Sequence, residues 1–456
     1  SQVRYQKMSG EASDAPSIRL IDNAFPKLLI SQAKFEEVYG TKPDFFVQAP
    51  GRVNLIGEHI DYCGYAVFPM AIEQDVILAV GVCEEPTIQM HNIDELYAPG
   101  SSSITDLMIS KESPTWYHYL LCGIRGVLDT ELGLKEKKGL KFVVHGTIPP
   151  CAGLSSSSAL VCAAALAAGH AHGVNWSKSH YANICAKCER YIGTEGGGMD
   201  QAICFLATSG SAKLIEFDPL KATPVSLPKK AVFVVANSLS QKQKALTSEY
   251  NTRVAECRLA AQACWHCLYC SLYNQVIACH CGFDWKLVRR LDDVQKLTGK
   301  KLSDLLCLVK ESLHKEPYTK QEVSMCLLIL ICQILEVSME ELDRVSLSEK
   351  TKGLKSFKLQ QRSLHLEKRS PKMQNEEPLY QMIKVFVAEA NRVWEFKNTC
   401  DHEEEVGETE TLKSLGKLMS DSHTSCRDLY ECSHPCLDQL VELSKGIAYG
   451  ARLTGA

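Results

Sequence analysis

Pro149-Pro150-Cys151-Ala152-Gly153-Leu154-Ser155-Ser156-Ser157-Ser158-Ala159-Leu160 is the stretch on which the fold turns. A β-rich segment, Leu140 to Val144, enters it, and a helix of small residues, about Ser157 to Ala171, leaves it. Glycine lets the backbone turn with its N–H groups facing one concavity. The following helix aims its unpaired first-turn amides and the positive end of its dipole at the same point. Four serines add hydroxyl donors and a potential oxygen ligand for Mg²⁺. The pocket suits an anion, a nucleotide phosphate above all. A serine-rich linker is the competing reading, but the flanks are apolar and Ser158-Ala159-Leu160-Val161 runs straight into Ala-rich helix. No Gly-Lys-Ser/Thr follows at the spacing of a Walker A loop, so the cradle is of another kind.

Composition sets the frame. A chain of 456 residues has room for a large core and about two or three ordinary domains. Hydrophobic content of 45% and charged content of 23% are those of a globular protein. A net charge of -4 leaves no footprint for nucleic acid or an anionic membrane. No apolar run reaches the roughly 18 to 20 residues of a spanning helix; Ala159 to Ala168 and Met325 to Ile331 are shorter. Nothing at the N-terminus resembles a signal peptide. The 21 cysteines are spread through apolar positions such as Cys162, Cys185 and Cys204, where a small buried hydrophobe fits. Reduced thiols in a cytoplasmic protein, with few or no disulfides, are expected.

Strands interleaved with helices predict an α+β protein. Phe45 to Val82 reads as strand, polar turn and strand, Trp116 to Val127 as helix, and Leu140 to Gly146 as strand. Helices follow at Ser157 to Gly173 and His180 to Ile192, then strands at Ala212 to Glu216 and Ala231 to Ala236. A boundary near Pro228 divides an N-terminal extension (1–30) and a first domain (31–228) from a mainly helical remainder (229–456). Two segments of that remainder, near 264–281 and 323–378, read differently. Cys264-x-x-Cys267-x-x-Cys270 with Cys279-His280-Cys281 has the residue types of a zinc site. Its aromatic, apolar surroundings without knuckle glycines equally fit a cysteine-rich helix or an insert. Arg344 to Arg369, polar and mainly basic, reads as a solvated loop.

A second dense motif is Ala49-Pro50-Gly51-Arg52-Val53-Asn54-Leu55-Ile56-Gly57-Glu58-His59-Ile60-Asp61-Tyr62. Arg52, Glu58, His59 and Asp61 in so short a run can hydrogen-bond several hydroxyls of a polyol or sugar. They would equally make the ion pairs of a surface turn. A third motif is Glu189 followed by Gly196-Gly197-Gly198-Met199-Asp200-Gln201. Its glycines allow a close backbone approach, and Asp200 opens an apolar helix. There it can act as a base toward a hydroxyl nucleophile, or simply as a helix-capping carboxylate. A phosphate cradle, a polyol holder and a base together suit phosphoryl transfer, which needs mainly positioning and charge neutralisation.

With these motifs in order, the chain resembles the sugar kinases of the GHMP family. Within its galactokinase group, Ile60-Asp61-Tyr62-Cys63-Gly64-Tyr65, Ile192 to Asp200 and Leu429-Tyr430-Glu431-Cys432-Ser433 are most similar to N-acetylgalactosamine kinase. The resemblance implies two domains, one like ribosomal protein S5 and a ferredoxin-like C-terminal one. It implies Asp200 as catalytic carboxylate beside the sugar's C1 hydroxyl, with Arg52 between it and the transferring phosphoryl group. Arg52, Glu58, His59, Asp61 and Asp200 would bind sugar, with Gly198 and Tyr250 beside them. Gly153, Leu154, Ser155, Ser156, Ser157 and Ser158 would wrap the phosphates of ATP, with Trp116 and Lys244 as further nucleotide contacts. Ser157 and Glu189 would hold Mg²⁺. The expected activity is ATP-dependent 1-phosphorylation of N-acetylgalactosamine by a monomer. Galactokinase proper and a non-catalytic sugar- and nucleotide-binding member are the alternatives. The family continues past Arg452-Leu453-Thr454-Gly455-Ala456 into a glycine-rich third motif. Uncovered strand edges and apolar faces are therefore expected in the second domain.

Overall fold

The computed structural model describes residues 4–7, 14–20, 25–130, 137–240, 250–251, 253–254, 257–258, 260–261, 288–304, 307 and 379–455. The N-terminal part runs β1 (Arg4–Lys7), β2 (Ser17–Leu20), α1 (Pro26–Tyr39), β3 (Phe45–Asn54), β4 (Pro69–Cys83), β5 (Thr87–Asn92) and β6 (Gly100–Ser103). It continues with α2 (Trp116–Thr130), β7 (Gly139–Gly146), α3 (Ser156–Ala171), α4 (Lys178–Cys188), a 3₁₀ turn (Glu189–Ile192) and α5 (Met199–Leu206). A hairpin of β8 (Ala212–Glu216) and β9 (Lys221–Val225) completes it. Seven strands form one mixed sheet in the order β2-β1-β3-β4-β7-β5-β6. The β1–β3 and β5–β7 pairs are parallel and the other pairs antiparallel.

The sheet is covered on both faces, and strand alternation sorts the side chains between them. Phe45, Val47, Ala49, Val76, Leu78, Val80, Leu140, Phe142 and Val144 join the large core beneath the helices. Phe46, Ile77, Ala79 and Val143 face the other way, onto Leu28 and Phe35 of α1. Each fully buried aliphatic or aromatic side chain of this kind contributes about 1.5–3 kcal/mol. The alanines of α3 from Ala159 to Ala168 are buried, and their small size brings that helix close to its neighbours. At Gly123 of α2 a Cβ would lie 2.3 Å from the Val161 carbonyl oxygen, so the α2–α3 crossing requires glycine.

The later chain supplies α6 (Leu291–Thr298), α7 (Leu379–Asp401), α8 (Glu403–Val406), α9 (Glu408–Asp428) and α10 (Pro435–Leu443). Two compact units result: Ser1–Thr252 with Ala388–Ala456, and Arg253–Val387. In the second, α6 buries Leu291 and Val294, while the Asp293 carboxylate accepts from the Arg289 and Arg290 amides. No helix among the described residues is long and apolar enough to cross a membrane. Every cysteine among them is a free thiol.

Three sequence expectations differ from what is observed. The division at residue 228 gives way to one at 252/253 and 387/388, because residues 388–455 pack with the N-terminal unit. Residues 1–30, expected as an extension, contribute β1, β2 and the start of α1 to the sheet and its cover. Ala231 to Ala236 forms no strand. No β-ladder partner lies beside it among the described residues, and Val232 and Val234 stand 84% and 86% exposed. The segments near 264–281 and 323–378, and with them the zinc reading of the first and the loop reading of Arg344 to Arg369, lie outside the described residues.

Candidate active site

The site is assembled where β3 ends. The β3–β4 register shifts between Pro50 and Arg52, a bulge centred on Gly51. A Cβ at Gly51 would sit 2.9 Å from the Leu154 carbonyl oxygen, so the serine loop presses directly on the bulge. The Arg52 amide donates to that same carbonyl at 3.2 Å. A bulge bends a strand and re-aims the side chain beside it. Here it turns Arg52, 3% exposed, toward two groups at once. Its Nε donates to Asp200 Oδ1 at 2.7 Å and its Nη1 to the Gly153 carbonyl at 2.6 Å. Burial opposes the guanidinium charge, but Asp200 beside it, with Glu58 and Asp61, holds it above the usual arginine range.

Asp200 lies in the first turn of α5, after Gly198 at φ 108°. Its Oδ2 accepts from Ser158 Oγ at 3.4 Å. Gly197 passes so close to Asp61 that a Cβ would lie 2.3 Å from the Asp61 carbonyl carbon. Asp61 Oδ2 accepts from the Met199 amide at 3.5 Å. The glycine run thus serves the close approach read from the sequence, and it docks the Asp200 turn on the Asp61 turn.

Glu58, His59 and Asp61 are all buried. His59 adopts a left-handed φ of 61°, which histidine tolerates better than most side chains. Its Nδ1 shares a 2.8 Å hydrogen bond with Tyr62 Oη, which meets Tyr430 Oη at 2.8 Å. The Tyr250 ring lies 6.0 Å from that of His59 and 5.9 Å from that of Tyr62, centroid to centroid. Burial, then the Asp61, Asp200 and Glu189 carboxylates, push the Tyr250 phenol well above its usual range.

The phosphate loop has the features of an anion cradle. Gly153 and Ser155 hold positive φ angles of 73° and 60°. Ser155 precedes α3 without capping it, which leaves the first-turn amides to a ligand. Ser155 Oγ is buried with no hydrogen-bond partner among the described residues. Both observations fit phosphate. Glu189, buried, opens the 3₁₀ turn after α4, and Ser157 lies in the first turn of α3. No three His, Cys, Asp or Glu side chains among the described residues group to hold a metal unaided. A magnesium ion held by one carboxylate, one hydroxyl and phosphate oxygens needs no such group. Trp116 donates its indole N–H to the Ala98 carbonyl at 2.8 Å, beside Tyr97. Lys244 lies outside the described residues.

Several participants were not read from the sequence. Tyr62 and Tyr430 frame His59, and Arg452 Nη2 donates to Glu58 Oε2 at 2.6 Å. The Gly455 backbone runs against the phosphate loop, where a Cβ would lie 2.0 Å from the Gly153 carbonyl oxygen.

Known proteins resemble this chain over most of its length. The galactokinase galactose-binding signature matches residues 33–82, and the GHMP kinases N terminal domain matches residues 118–208. The galactokinase of Dictyostelium discoideum is 38% identical over 446 residues, covering 92% of this chain and 81% of that protein. That of Saccharomyces cerevisiae is 31% identical over 468 residues, covering 93% and 82%. Lactococcus lactis galactokinase, solved in complex with galactose, shares the fold with a TM-score of 0.60 at 21% identity, over 93% of this chain and 86% of that one. These relatives carry the name galactokinase and lend no support to the expected preference for N-acetylgalactosamine. The chain therefore belongs to the galactokinases of the GHMP kinase family, and it is a sugar kinase with the α+β GHMP fold.

Proposed function

We propose that this chain transfers the γ-phosphoryl group of ATP to the anomeric hydroxyl of galactose. The observation that carries the reading is Arg52, which joins the Asp200 carboxylate to the Gly153 carbonyl of the phosphate loop. A hydroxyl nucleophile beside Asp200 is thereby set against a phosphate in the loop. The C1 oxygen bonds to the γ-phosphorus, the bond from that phosphorus to the bridging oxygen breaks, and ADP leaves. The hydroxyl proton passes to Asp200 Oδ2, since Oδ1 is held by Arg52. Arg52 neutralises charge building on the transferring group, where a fixed donor in a dry site is most effective. The α3 amides and Ser155 hold the phosphates. Ser157 and Glu189 would hold Mg²⁺, which would supply further charge neutralisation when bound.

Glu58, His59 and Asp61 hold the sugar, with Tyr250 at its edge. The names of the relatives favour galactose over N-acetylgalactosamine as the acceptor, and the joined Arg52–Asp200 pair favours catalysis over mere binding. The test is formation of sugar 1-phosphate from Mg-ATP with galactose, N-acetylgalactosamine and glucose in parallel. Turnover highest with galactose supports the reading. Turnover confined to the acetamido sugar replaces it with the alternative, and none with any sugar rejects it.

A further inference from the structure

Glu58 is held by two charged residues, Glu389 and Arg452, that lie 331 and 394 residues from it in sequence. Glu389, on α7, is 1% exposed. Its Oε1 accepts from the Gly57 amide at 3.0 Å, the Glu58 amide at 3.1 Å and Ser422 Oγ of α9 at 2.6 Å. Its Oε2 accepts from Arg392 Nη1 at 2.8 Å, and Arg392 Nη2 donates to Ser425 Oγ at 2.7 Å. From the other side Arg452, itself almost wholly buried, donates Nη2 to Glu58 Oε2 and Nη1 to the Asn54 carbonyl at 3.2 Å.

The approach of α7 is built into the loop. Gly57 has a φ of 93°, and a Cβ there would meet Val393 Cγ2 at 2.8 Å. Burial works against the Glu389 charge, yet Arg452 and Arg392, with the Ser422 hydroxyl and the Glu58 amide, keep its carboxyl below the usual range. A buried carboxylate collecting two consecutive loop amides fixes the peptide it holds, because releasing it would strand a charge. One end of Glu58, its backbone, is thus fixed by Glu389. The far end, one carboxylate oxygen, is fixed by Arg452, which leaves Oε1 for a hydroxyl.

We propose that Glu389 and Arg452 are positioning residues that set the Glu58 carboxylate for the sugar, acting through its amide and its Oε2. The inference rests on the sugar-kinase reading of the site. Among the described residues neither side chain hydrogen-bonds the serines of the loop or Asp200, so their effect falls on the sugar and not on ATP.

The test is a double-mutant cycle on the full chain with galactose and Mg-ATP, using Glu389→Gln, Glu58→Gln and the pair. Glu389→Gln keeps the volume but replaces one acceptor oxygen with a donor. It should raise the KM for galactose about tenfold with the KM for ATP unchanged. In the Glu58→Gln background the same substitution should add little, since residues acting in series are non-additive. Arg452→Lys, which keeps the charge but loses the fork, should give the same split if Glu389→Gln fails to fold. Equal increases in both KM values, or a Glu389 effect undiminished without Glu58, would overturn the proposal. Absence of turnover in the unmutated chain would instead reject the kinase reading; the cycle would then be read by calorimetric galactose binding, with the same additivity criterion.

Discussion

Arg52 Nε lies 2.7 Å from Asp200 Oδ1 across 148 residues of sequence, with the guanidinium buried and the carboxylate partly exposed. A charge-assisted hydrogen bond in such surroundings is short and directional. Its geometry is fixed by a bulge on one side and a glycine-initiated helix on the other. The guanidinium also reaches the Gly153 carbonyl, so one side chain joins Asp200 to the serine loop.

Arg52→Lys keeps the positive charge but cannot serve both acceptors with one planar fork. We expect kcat to fall by about 10² to 10³, as when one preorganised donor is removed from a charge-stabilising site. Steady-state kinetics and fluorescent ATP-analogue binding check this. A kcat within about threefold of the unmutated chain would show that the fork is dispensable.

Gly197→Ala forces a Cβ onto the Asp61–Tyr62 peptide, backbone against backbone. Overpacking of this kind costs about 1–3 kcal/mol. The substitution should lower the urea midpoint and raise the KM for sugar, since Asp61 must move. Thermal and urea unfolding with sugar kinetics measure both effects, and a neutral result in both would show that the loop yields without cost.

Acid should destabilise the fold in two stages. His91, His118, His172 and His423 are each held below the usual imidazole range, in every case first by burial. As pH falls through about 6.5 the unfolded chain therefore binds more protons than the folded one, so stability decreases. The depressed Glu389 carboxyl adds stability that is present above about pH 4.3 and lost only at lower pH. Urea midpoints should be lower at about pH 5.5 than at about pH 7.5, with a smaller difference in His423→Asn. A midpoint unchanged or higher in acid would contradict this.

What the sequence revealed and what it hid follow from where the information lies. The serine loop, the Arg52-to-Asp61 run and the Gly196-to-Asp200 turn are contiguous, and each carries its local conformation in its own residue types. The segments of β3, β4, β7 and β8 likewise read as strands. The partners of the site are another matter. Glu389, Tyr430 and Arg452 sit more than three hundred residues from the loop they hold, in a helix, an interhelical turn and a late segment whose local pattern says nothing of their contacts. The Gly51 bulge was hidden because a register shift is a property of two strands. Ala231 to Ala236 shows the converse: a good strand pattern forms no strand where no neighbouring strand pairs with it among the described residues.

The most direct test of the central claim is turnover of galactose and Mg-ATP by the unmutated chain and by Asp200→Asn, with ATP affinity measured alongside. The asparagine keeps the shape of the carboxylate but can neither accept the proton nor pair with the Arg52 charge. The account predicts galactose 1-phosphate from the unmutated chain, a loss of about 10³-fold or more in Asp200→Asn, and similar ATP binding in both. Near-normal turnover in Asp200→Asn would contradict it, because the carboxylate that Arg52 ties to the phosphate loop would then have no part in the transfer.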